Sequence, residues 1–268
     1  MMKQQSLYPS LFALLLGVGV AILPMGHSVD ADQVIFPTTA DASANESTGD
    51  AAEKEKAEEG WISLFNGKDL EGWKAAENPE AFTVKDGELI VKGNRGHLFY
   101  TGDVEKANFK NFKWKVEVLT KPKANSGLYF HTKYQDEGWP SKGYEVQVNN
   151  THSDPKKTGG LYAIADVIDT SPVKDNEWFT MEIIVKGKRV IVKVNDKVTT
   201  DYIEPENPDR EGMFKERVLS EGTIAIQAHD PGSVIHFRNI RIKPLPADKT
   251  ADAKQDEGDQ PAETPQAE

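Results

Sequence analysis

The segment Asn125–Asn150, NSGLYFHTKYQDEGWPSKGYEVQVNN, decides the predicted fold. Two parts of it, Leu128–Thr132 and Tyr144–Val148, alternate apolar and polar residues on either side of a loop that contains a Trp-Pro pair. Successive side chains of a strand point to opposite faces, so Glu145 and Gln147 should share one face, about 7 Å apart. The pattern predicts two strands that present hydrogen-bonding side chains on the floor of a polar groove.

Short strand patterns recur throughout the remaining chain and are separated by turn residues such as Asp86-Gly87 and Asn195-Asp196. The segment Glu204–Ser220 is rich in proline and charge and is predicted to be a long loop with one short helix. Residues 60–246 contain no apolar stripe at helical spacing, which favours an all-β jelly-roll sandwich of two antiparallel sheets. The other predicted strands are Ala81–Lys85, Glu88–Lys92, His97–Thr101, Phe109–Leu119, Gly159–Ile164, Trp178–Lys186, Val190–Val194, Lys197–Tyr202, Gly222–His229 and Val234–Lys243.

The N-terminus has the pattern of a secretory signal peptide. Lys3 precedes the apolar run Leu11–Leu23, which is followed by Pro24 and small residues, with cleavage expected after Ser28 or Ala31. An uncleaved membrane anchor is the alternative, although the run is shorter than the roughly 20 residues that a membrane span needs. We therefore expect an exported protein, periplasmic or extracellular, with a signal peptide at residues 1–28.

The negative charge lies outside the predicted domain. Residues 1–59 hold three lysines and nine acidic residues, and residues 247–268 hold two lysines and seven acidic residues. Of the totals of 32 basic and 43 acidic residues, 27 of each therefore remain in residues 60–246, which are formally neutral. We expect residues 29–59 and 247–268 to be disordered acidic segments around one folded domain, and a neutral domain argues against nucleic-acid binding.

Several common chemistries are excluded by the sequence. The chain has no cysteine, so it has no disulfide, cysteine nucleophile or thiolate metal ligand. It contains no phosphate-binding P-loop, dinucleotide fingerprint, nucleophile elbow or HExxH zinc motif. The strand with Glu145 and Gln147 offers one carboxylate and one amide, whereas a retaining glycosidase needs two carboxyl groups about 5.5 Å apart.

Polar residues on strand faces form the candidate site, since histidine, glutamine and tyrosine are less typical of a solvated sheet face than lysine, glutamate and threonine. An ordinary solvated face is the alternative. Glu145 could simply form an ion pair with Lys115 or Arg238, and Trp139 could be a sugar-stacking platform or a packed loop anchor. The catalytic candidates are Glu145, His229 and His131, and the substrate-binding candidates are Tyr129, Gln147, Asn125, Trp139, Tyr162, Gln227 and Arg238.

Six segments, in this order, resemble the 3-keto-disaccharide hydrolase domain family: WISLFNGKDLEGWK, NSGLYFHTKY, GYEVQVNN, TGGLYA, NEWFTMEIIVKGKRVIVKVND and GTIAIQAHDPGSVIHFRNIRIKPL. The resemblance covers residues 60–245 and implies a concanavalin-like jelly roll that acts on glycosides oxidised at carbon 3. At His131 the chain departs from the family, whose members often have arginine there.

The chemistry implied by the resemblance needs only one carboxylate, because a ketone at carbon 3 acidifies the proton on carbon 2 and allows elimination of the group on carbon 1. Such a route uses one general base, a group that stabilises the enolate and an acid for the leaving group. Glu145 or His229 is the candidate base; Gln147, Arg238 or a divalent cation would stabilise the enolate; His131 or Tyr129 would assist departure. Two alternative functions are a non-catalytic carbohydrate-binding module of the same fold and an interaction or surface protein whose groove has no chemical role.

Overall fold

The computed structural model describes residues 59–246, in which fifteen strands form two antiparallel sheets. The predicted signal peptide, most of the acidic linker and the acidic tail lie outside the described residues. None of the described helices is long and apolar enough to cross a membrane. The all-β sandwich that the sequence predicts is confirmed.

The strands follow one another in the chain with short turns between most of them. They are β1 (Ile62–Ser63), β2 (Trp73–Ala76), β3 (Phe82–Lys85), β4 (Glu88–Lys92), β5 (Gly96–Tyr100), β6 (Phe112–Thr120), β7 (Asn125–Thr132), β8 (Tyr144–Asn149), β9 (Lys156–Leu161), β10 (Ala165–Ile168), β11 (Phe179–Lys186), β12 (Arg189–Val194), β13 (Lys197–Ile203), β14 (Thr223–Ala228) and β15 (Val234–Pro244). Short 3-10 helices cover Pro79–Ala81, Val104–Ala107 and Gly212–Phe214.

One sheet has eight strands and the other has seven. The eight-stranded sheet runs β13-β12-β11-β6-β15-β4-β3, with β1 paired to β15. The seven-stranded sheet runs β10-β9-β8-β7-β14-β5-β2. The predicted strands β7, β8 and β14 are therefore neighbours, as the predicted polar groove requires.

Alternating residues build the core between the sheets. Tyr144, Val146 and Val148 of β8 are fully buried in it, and so are the alternating aromatic and valine side chains of β6. The opposite face of β8 carries Glu145 and Gln147, as the period-two pattern predicts. The inner faces thus hold the sandwich together and leave the outer face of the seven-stranded sheet to carry polar groups.

Three strands were not predicted, and each lacks a strong pattern. The strand β1 has two residues, β2 contains alanines and lysine without a β-branched residue, and β10 is a short strand at the sheet edge. The predicted short helix in the loop Glu204–Ser220 is confirmed by the turn at Gly212–Phe214.

A bulge in β7 overturns one prediction about the polar face. Thr132 pairs with Thr223 and Tyr129 with Ala225, so the two pairs are three residues apart on β7 but only two residues apart on β14. The backbone at His131, with φ of +55°, accommodates the extra residue. The expectation that His131 shares the polar face with Tyr129 is therefore wrong.

Candidate functional site

A cavity of about 240 Å³ lies over the outer face of the seven-stranded sheet. Its floor comes from β7, β8 and β14, and its walls come from the segments that follow β7, β8, β9, β13 and β14. The residues that line it are Asn125, Tyr129, Trp139, Glu145, Gln147, Asp154, Tyr162, Met213, Phe214, Arg217, Gln227 and His229.

A buried ion pair joins this floor to one wall of the cavity. Arg217 Nη2 lies 3.1 Å from Glu145 Oε2, and the two side chains are only 6% and 7% exposed. Arg217 also donates from Nη1 to the carbonyl oxygen of Tyr162 at 2.9 Å. The interpretation that Glu145 pairs with Lys115 or Arg238 is wrong, because its cation is Arg217, contributed by the loop between β13 and β14.

The second carboxylate oxygen of Glu145 also accepts a hydrogen bond. Gln227 Nε2 donates to Glu145 Oε1 at 3.0 Å and to the Tyr129 hydroxyl at 2.9 Å. Burial, together with the neighbouring Glu145 charge, raises the pKa of Tyr129 well above its ordinary value. Tyr129 therefore keeps its hydroxyl proton, and both carboxylate oxygens of Glu145 have protein donors.

A glycine makes room for this arrangement. A Cβ atom placed at Gly127, one strand away on β7, would lie 2.5 Å from Glu145 Oε1 and 2.9 Å from its Cγ. Any larger residue would therefore displace the carboxylate from Gln227. The glycine in the sequence NSGLY is required by this close approach rather than by a turn.

A histidine and an aspartate form a second polar unit at the cavity. His229 Nδ1 lies 2.9 Å from Asp230 Oδ2. Ser233 Oγ donates to the same carboxylate oxygen at 2.7 Å, and the Gly232 amide donates to the other oxygen at 2.8 Å. Burial opposes ionisation of Asp230, but the hydrogen bonds from Ser233 and His229 outweigh it and lower the pKa. With Nδ1 donating to this carboxylate, the neutral ring of His229 carries its lone pair on Nε2.

A third residue, His152, approaches this pair and raises the question of a metal. His152, His229 and Asp230 each offer a ligand atom within 4.8 Å of the others. However, His152 Nδ1 accepts the backbone N–H of Asp154 at 3.1 Å, which places the proton of a neutral ring on Nε2. A metal-bound histidine usually donates its second ring nitrogen instead. The set therefore does not fit a divalent cation as it stands.

Trp139 both lines the cavity and packs against its surroundings. Its ring centroid lies 5.6 Å from that of His97 and 5.4 Å from that of His229. The Arg95 guanidinium lies 5.4 Å from the same ring. The two interpretations offered by the sequence, a platform for a ligand and a loop anchor, are thus compatible.

Amides and a further carboxylate complete the cavity. Gln147 Nε2 donates to Asn125 Oδ1 at 3.2 Å, and the Tyr162 hydroxyl lies 3.4 Å from Asp154 Oδ2. Burial raises the pKa of Tyr162, with Asp154 adding to the effect. This side of the cavity therefore presents neutral hydrogen-bonding groups near one carboxylate.

Eight of the ten candidate residues predicted from the sequence line the cavity. They are Asn125, Tyr129, Trp139, Glu145, Gln147, Tyr162, Gln227 and His229. The other two, His131 and Arg238, are placed elsewhere by the structure.

His131 is enclosed on the other side of the sheet. Its ring packs against Phe112 and Phe130. Nε2 lies 2.9 Å from the carbonyl of Lys110, and Nδ1 accepts the Ser220 amide at 3.1 Å. Burial lowers the pKa of His131 to about 4. The ring is therefore a neutral bridge between two loops and does not reach the cavity.

Arg238 lies on the eight-stranded sheet. It donates from Nε to Glu117 Oε2 at 2.7 Å, and its guanidinium lies 3.9 Å from the Trp178 ring centroid. The predicted contact with substrate at the cavity of the other sheet is wrong for this residue.

Five residues at the site were not predicted from the sequence: Asp154, Met213, Phe214, Arg217 and Asp230, the partner of His229. Met213-Phe214 is an apolar pair inside an otherwise charged loop, and this was the available signal that the loop contacts a cavity. Nothing in the local pattern marks Arg217, since its importance comes from a contact 72 residues away along the chain.

The chain is similar to known proteins in sequence and in fold. Residues 60–243 match the 3-keto-alpha-glucoside-1,2-lyase-like domain. A 3-keto-disaccharide hydrolase of Bacteroides thetaiotaomicron is 25% identical over 231 residues, which cover 70% of this chain and 79% of that protein.

Two crystal structures from Parabacteroides distasonis, both described as glycosyl hydrolases, are also similar and 25% identical in sequence. One has a TM-score of 0.60 and covers 72% of this chain and 97% of its own. The other has a TM-score of 0.53 and covers 69% of this chain and 99% of its own. The domain match spans most of the chain, and the chain therefore belongs to the 3-keto-alpha-glucoside-1,2-lyase-like domain family.

Proposed function

We propose that the protein cleaves glycosides whose sugar is oxidised at carbon 3, by elimination of the group on carbon 1 followed by addition of water. The family and the similarity to a 3-keto-disaccharide hydrolase support this substrate class. The observation that carries the proposal is that His229, paired with Asp230, lines the same cavity as a Glu145 carboxylate that is already bound by Arg217 and Gln227.

The reaction balances with one base and one proton donor. The base takes the proton from carbon 2, and the C–H electron pair moves into an enolate whose oxygen is on carbon 3. The enolate then re-forms the ketone and a C1–C2 double bond as the C1–O bond breaks, and the departing oxygen takes up a proton. Addition of water to this double bond places a hydroxyl on carbon 1 and a proton on carbon 2, which gives net hydrolysis.

His229 is the base in this proposal. Asp230 holds Nδ1, so that Nε2 can accept a proton and the carboxylate can stabilise the imidazolium that forms. Glu145 was the other candidate from the sequence. It serves instead to fix Arg217 and Gln227, because each of its oxygens already accepts a hydrogen bond from one of them.

Arg217 takes the role that the sequence analysis gave to Arg238. It places a positive charge in a cavity wall, where a developing enolate would be stabilised in a poorly solvated environment. Gln147 and Asn125 supply further amide groups. Tyr129, whose raised pKa keeps its proton in place, is the candidate for assisting the departing oxygen.

The test is turnover of a 3-keto-disaccharide against its unoxidised parent by the purified protein. We expect release of the free sugar, or of the unsaturated 3-keto product, only from the oxidised substrate, with or without a chelator. Cleavage of the parent at a similar rate would indicate an ordinary glycosidase, for which Glu145 and Asp154 would be the carboxylates to examine. Binding of both sugars without turnover would indicate a carbohydrate-binding module.

We also propose that the protein is exported, as the N-terminal sequence predicts. Fractionation of cells that express the full chain, with N-terminal sequencing of the product, tests this. Export predicts a new N-terminus after Ser28 or Ala31, whereas an intact N-terminus in the membrane fraction would indicate an anchor.

A further inference from the structure

Two buried polar atoms belong to paired residues of neighbouring strands beside the cavity, and neither has a hydrogen-bond partner within residues 59–246. They are His97 Nε2 and Gln227 Oε1. The two residues are directly opposite each other on β5 and β14, and they are 1% and 2% exposed. Directly opposite residues of an antiparallel pair place their side chains on the same face, about 5 Å apart at Cβ.

The orientation of the Gln227 amide is fixed by its partners. Its nitrogen uses both hydrogens, one to the Tyr129 hydroxyl and one to Glu145 Oε1. A carboxylate only accepts hydrogen bonds, so the amide cannot be turned around. Gln227 Oε1 is therefore an acceptor that faces away from Glu145.

His97 is held neutral at the same place. Burial lowers its pKa to about 3. Its ring makes edge contacts with Tyr129, at 5.3 Å between centroids, and with Trp139, at 5.6 Å. A neutral imidazole offers one donor and one acceptor nitrogen, and in the tautomer with the proton on Nε2 this atom can supply an N–H to a ligand.

We propose that His97 Nε2 and Gln227 Oε1 form a subsite for one hydroxyl group of the sugar, which accepts from His97 and donates to Gln227. A hydroxyl supplies both functions at once. Two buried groups without partners cost stability unless a ligand or water satisfies them. Gln227 and Trp139 line the cavity and His97 packs against Trp139, so the subsite lies beside the Trp139 ring. Both atoms are closed to solvent, so a hydroxyl reaches them only when neighbouring side chains move. This inference rests on the proposed function only in taking the ligand to be a sugar.

The subsite would contribute to specificity by selecting among sugars. A site built to hydrogen-bond a hydroxyl discriminates against an analogue that lacks it, since its own polar atoms then remain unpaired. His97 was not among the candidate residues from the sequence, and its role would be to select the sugar rather than to transfer a proton.

The test measures binding to the full protein by calorimetry, with a glucoside, its 3-keto form, and the 4-deoxy and 6-deoxy analogues of each. We expect one deoxy position to weaken binding to the wild-type protein by roughly tenfold or more. In His97→Phe, the intact sugar should bind about as weakly as that analogue, and the same deoxy change should cost nothing further. Equal deoxy effects in both proteins would overturn the proposal and leave a bound water as the partner.

The stability of the His97→Phe variant and the tautomer of His97 in the wild-type protein provide two readouts that are independent of the calorimetry. His97→Phe should unfold at an equal or higher urea concentration, because it removes a buried polar atom without a partner. In wild-type protein with nitrogen-labelled histidine, the His97 signal should show a protonated Nε2 that shifts on addition of sugar. An Nε2 without a proton, or a His97 signal that does not shift with any glycoside, would refute the subsite even if His97→Phe did not fold. Turnover plays no part in these readouts, so a failure of the proposed elimination chemistry would be recognised separately.

Discussion

The outer faces of the two sheets carry the same kinds of charged pairs in different surroundings. On the seven-stranded sheet, Arg217 and Glu145 are 6% and 7% exposed at the floor of a cavity. On the eight-stranded sheet, Arg238 and Glu117 form a similar pair at 2.7 Å but are 39% and 28% exposed. The chemistry of the residues is therefore the same, and their burial differs.

Two histidine–carboxylate pairs allow the same comparison between the sheets, and their burial is nearly equal. His229 pairs with Asp230 at 2.9 Å, and His236 pairs with Glu88 at 2.8 Å. All four side chains are partly exposed, but only His229 lines the cavity over the seven-stranded sheet. The comparison teaches that neither an ion pair nor a histidine–carboxylate pair marks a site by itself. Glu117 also lines a pocket, of about 180 Å³, on the eight-stranded sheet, so what distinguishes the Arg217–Glu145 pair is its burial at the larger cavity. The second sheet supplies a control for each pair.

The largest expected effect is on stability, from breaking the buried pair. Arg217→Met leaves Glu145 buried without its cation, which should lower the free energy of unfolding by about 3–5 kcal/mol. Arg238→Met removes the exposed counterpart and should cost about 1 kcal/mol. Urea denaturation of both variants measures the difference. Equal losses would show that burial does not distinguish the two pairs.

The second effect is on catalysis. His229→Gln removes the proposed base and should lower kcat by about a hundredfold or more, whereas His236→Gln should leave it close to wild type. Both are measured as turnover of a 3-keto-glycoside, with sugar binding and urea midpoints as controls for folding. A similar kcat in His229→Gln and wild type would remove His229 from the role of base.

A smaller effect is expected from one methyl group. Gly127→Ala places a Cβ against Glu145 Oε1 and should cost about 1–3 kcal/mol of stability as the carboxylate moves. The same displacement should weaken sugar binding, because Gln227 loses its acceptor. Urea unfolding and calorimetry check the two effects. A variant with wild-type stability and affinity would show that Glu145 can relax without consequence.

The last effect concerns pH and is spread over more than two pH units. The pKa of His131 is lowered from 6.5 to about 4, so between these values the unfolded chain binds a proton that the folded protein does not. Stability should therefore be complete above pH 6.5 and fall as the pH drops towards 4, with this residue contributing at most about 1.4 kcal/mol per pH unit. His131→Gln should flatten the dependence, and His236→Gln serves as the control. An unchanged slope in His131→Gln would mean that His131 is protonated as easily in the folded state.

The alternation of apolar and polar residues along a strand predicts on which face of the sheet each side chain lies. The period-two pattern of Tyr144–Val148 placed Glu145 on the correct face, and the same argument placed Gln227 beside it. The pattern failed at His131, where a bulge adds one residue and changes the direction of the side chain. No alternating pattern reports such an insertion in advance.

The rest of the site depends on contacts between distant segments. Arg217 reaches Glu145 from a loop that sequence reading could describe only as charged, and Arg238 looked equivalent to it in composition. Which arginine meets the carboxylate is decided by sheet order, because β15 belongs to the eight-stranded sheet and β8 to the other. His97 and Gln227, which each have one buried polar atom without a partner in the described residues, likewise come together only through the pairing of β5 and β14.

The central claim is that a C2–H bond breaks during cleavage, and a 3-keto-glycoside deuterated at carbon 2 tests it most directly. In ordinary water the account predicts slower turnover than with the unlabelled substrate and a product sugar that has lost deuterium from carbon 2, beyond the loss seen when the labelled product is incubated without protein. Cleavage at an unchanged rate with the label fully retained would contradict elimination and require direct displacement at carbon 1.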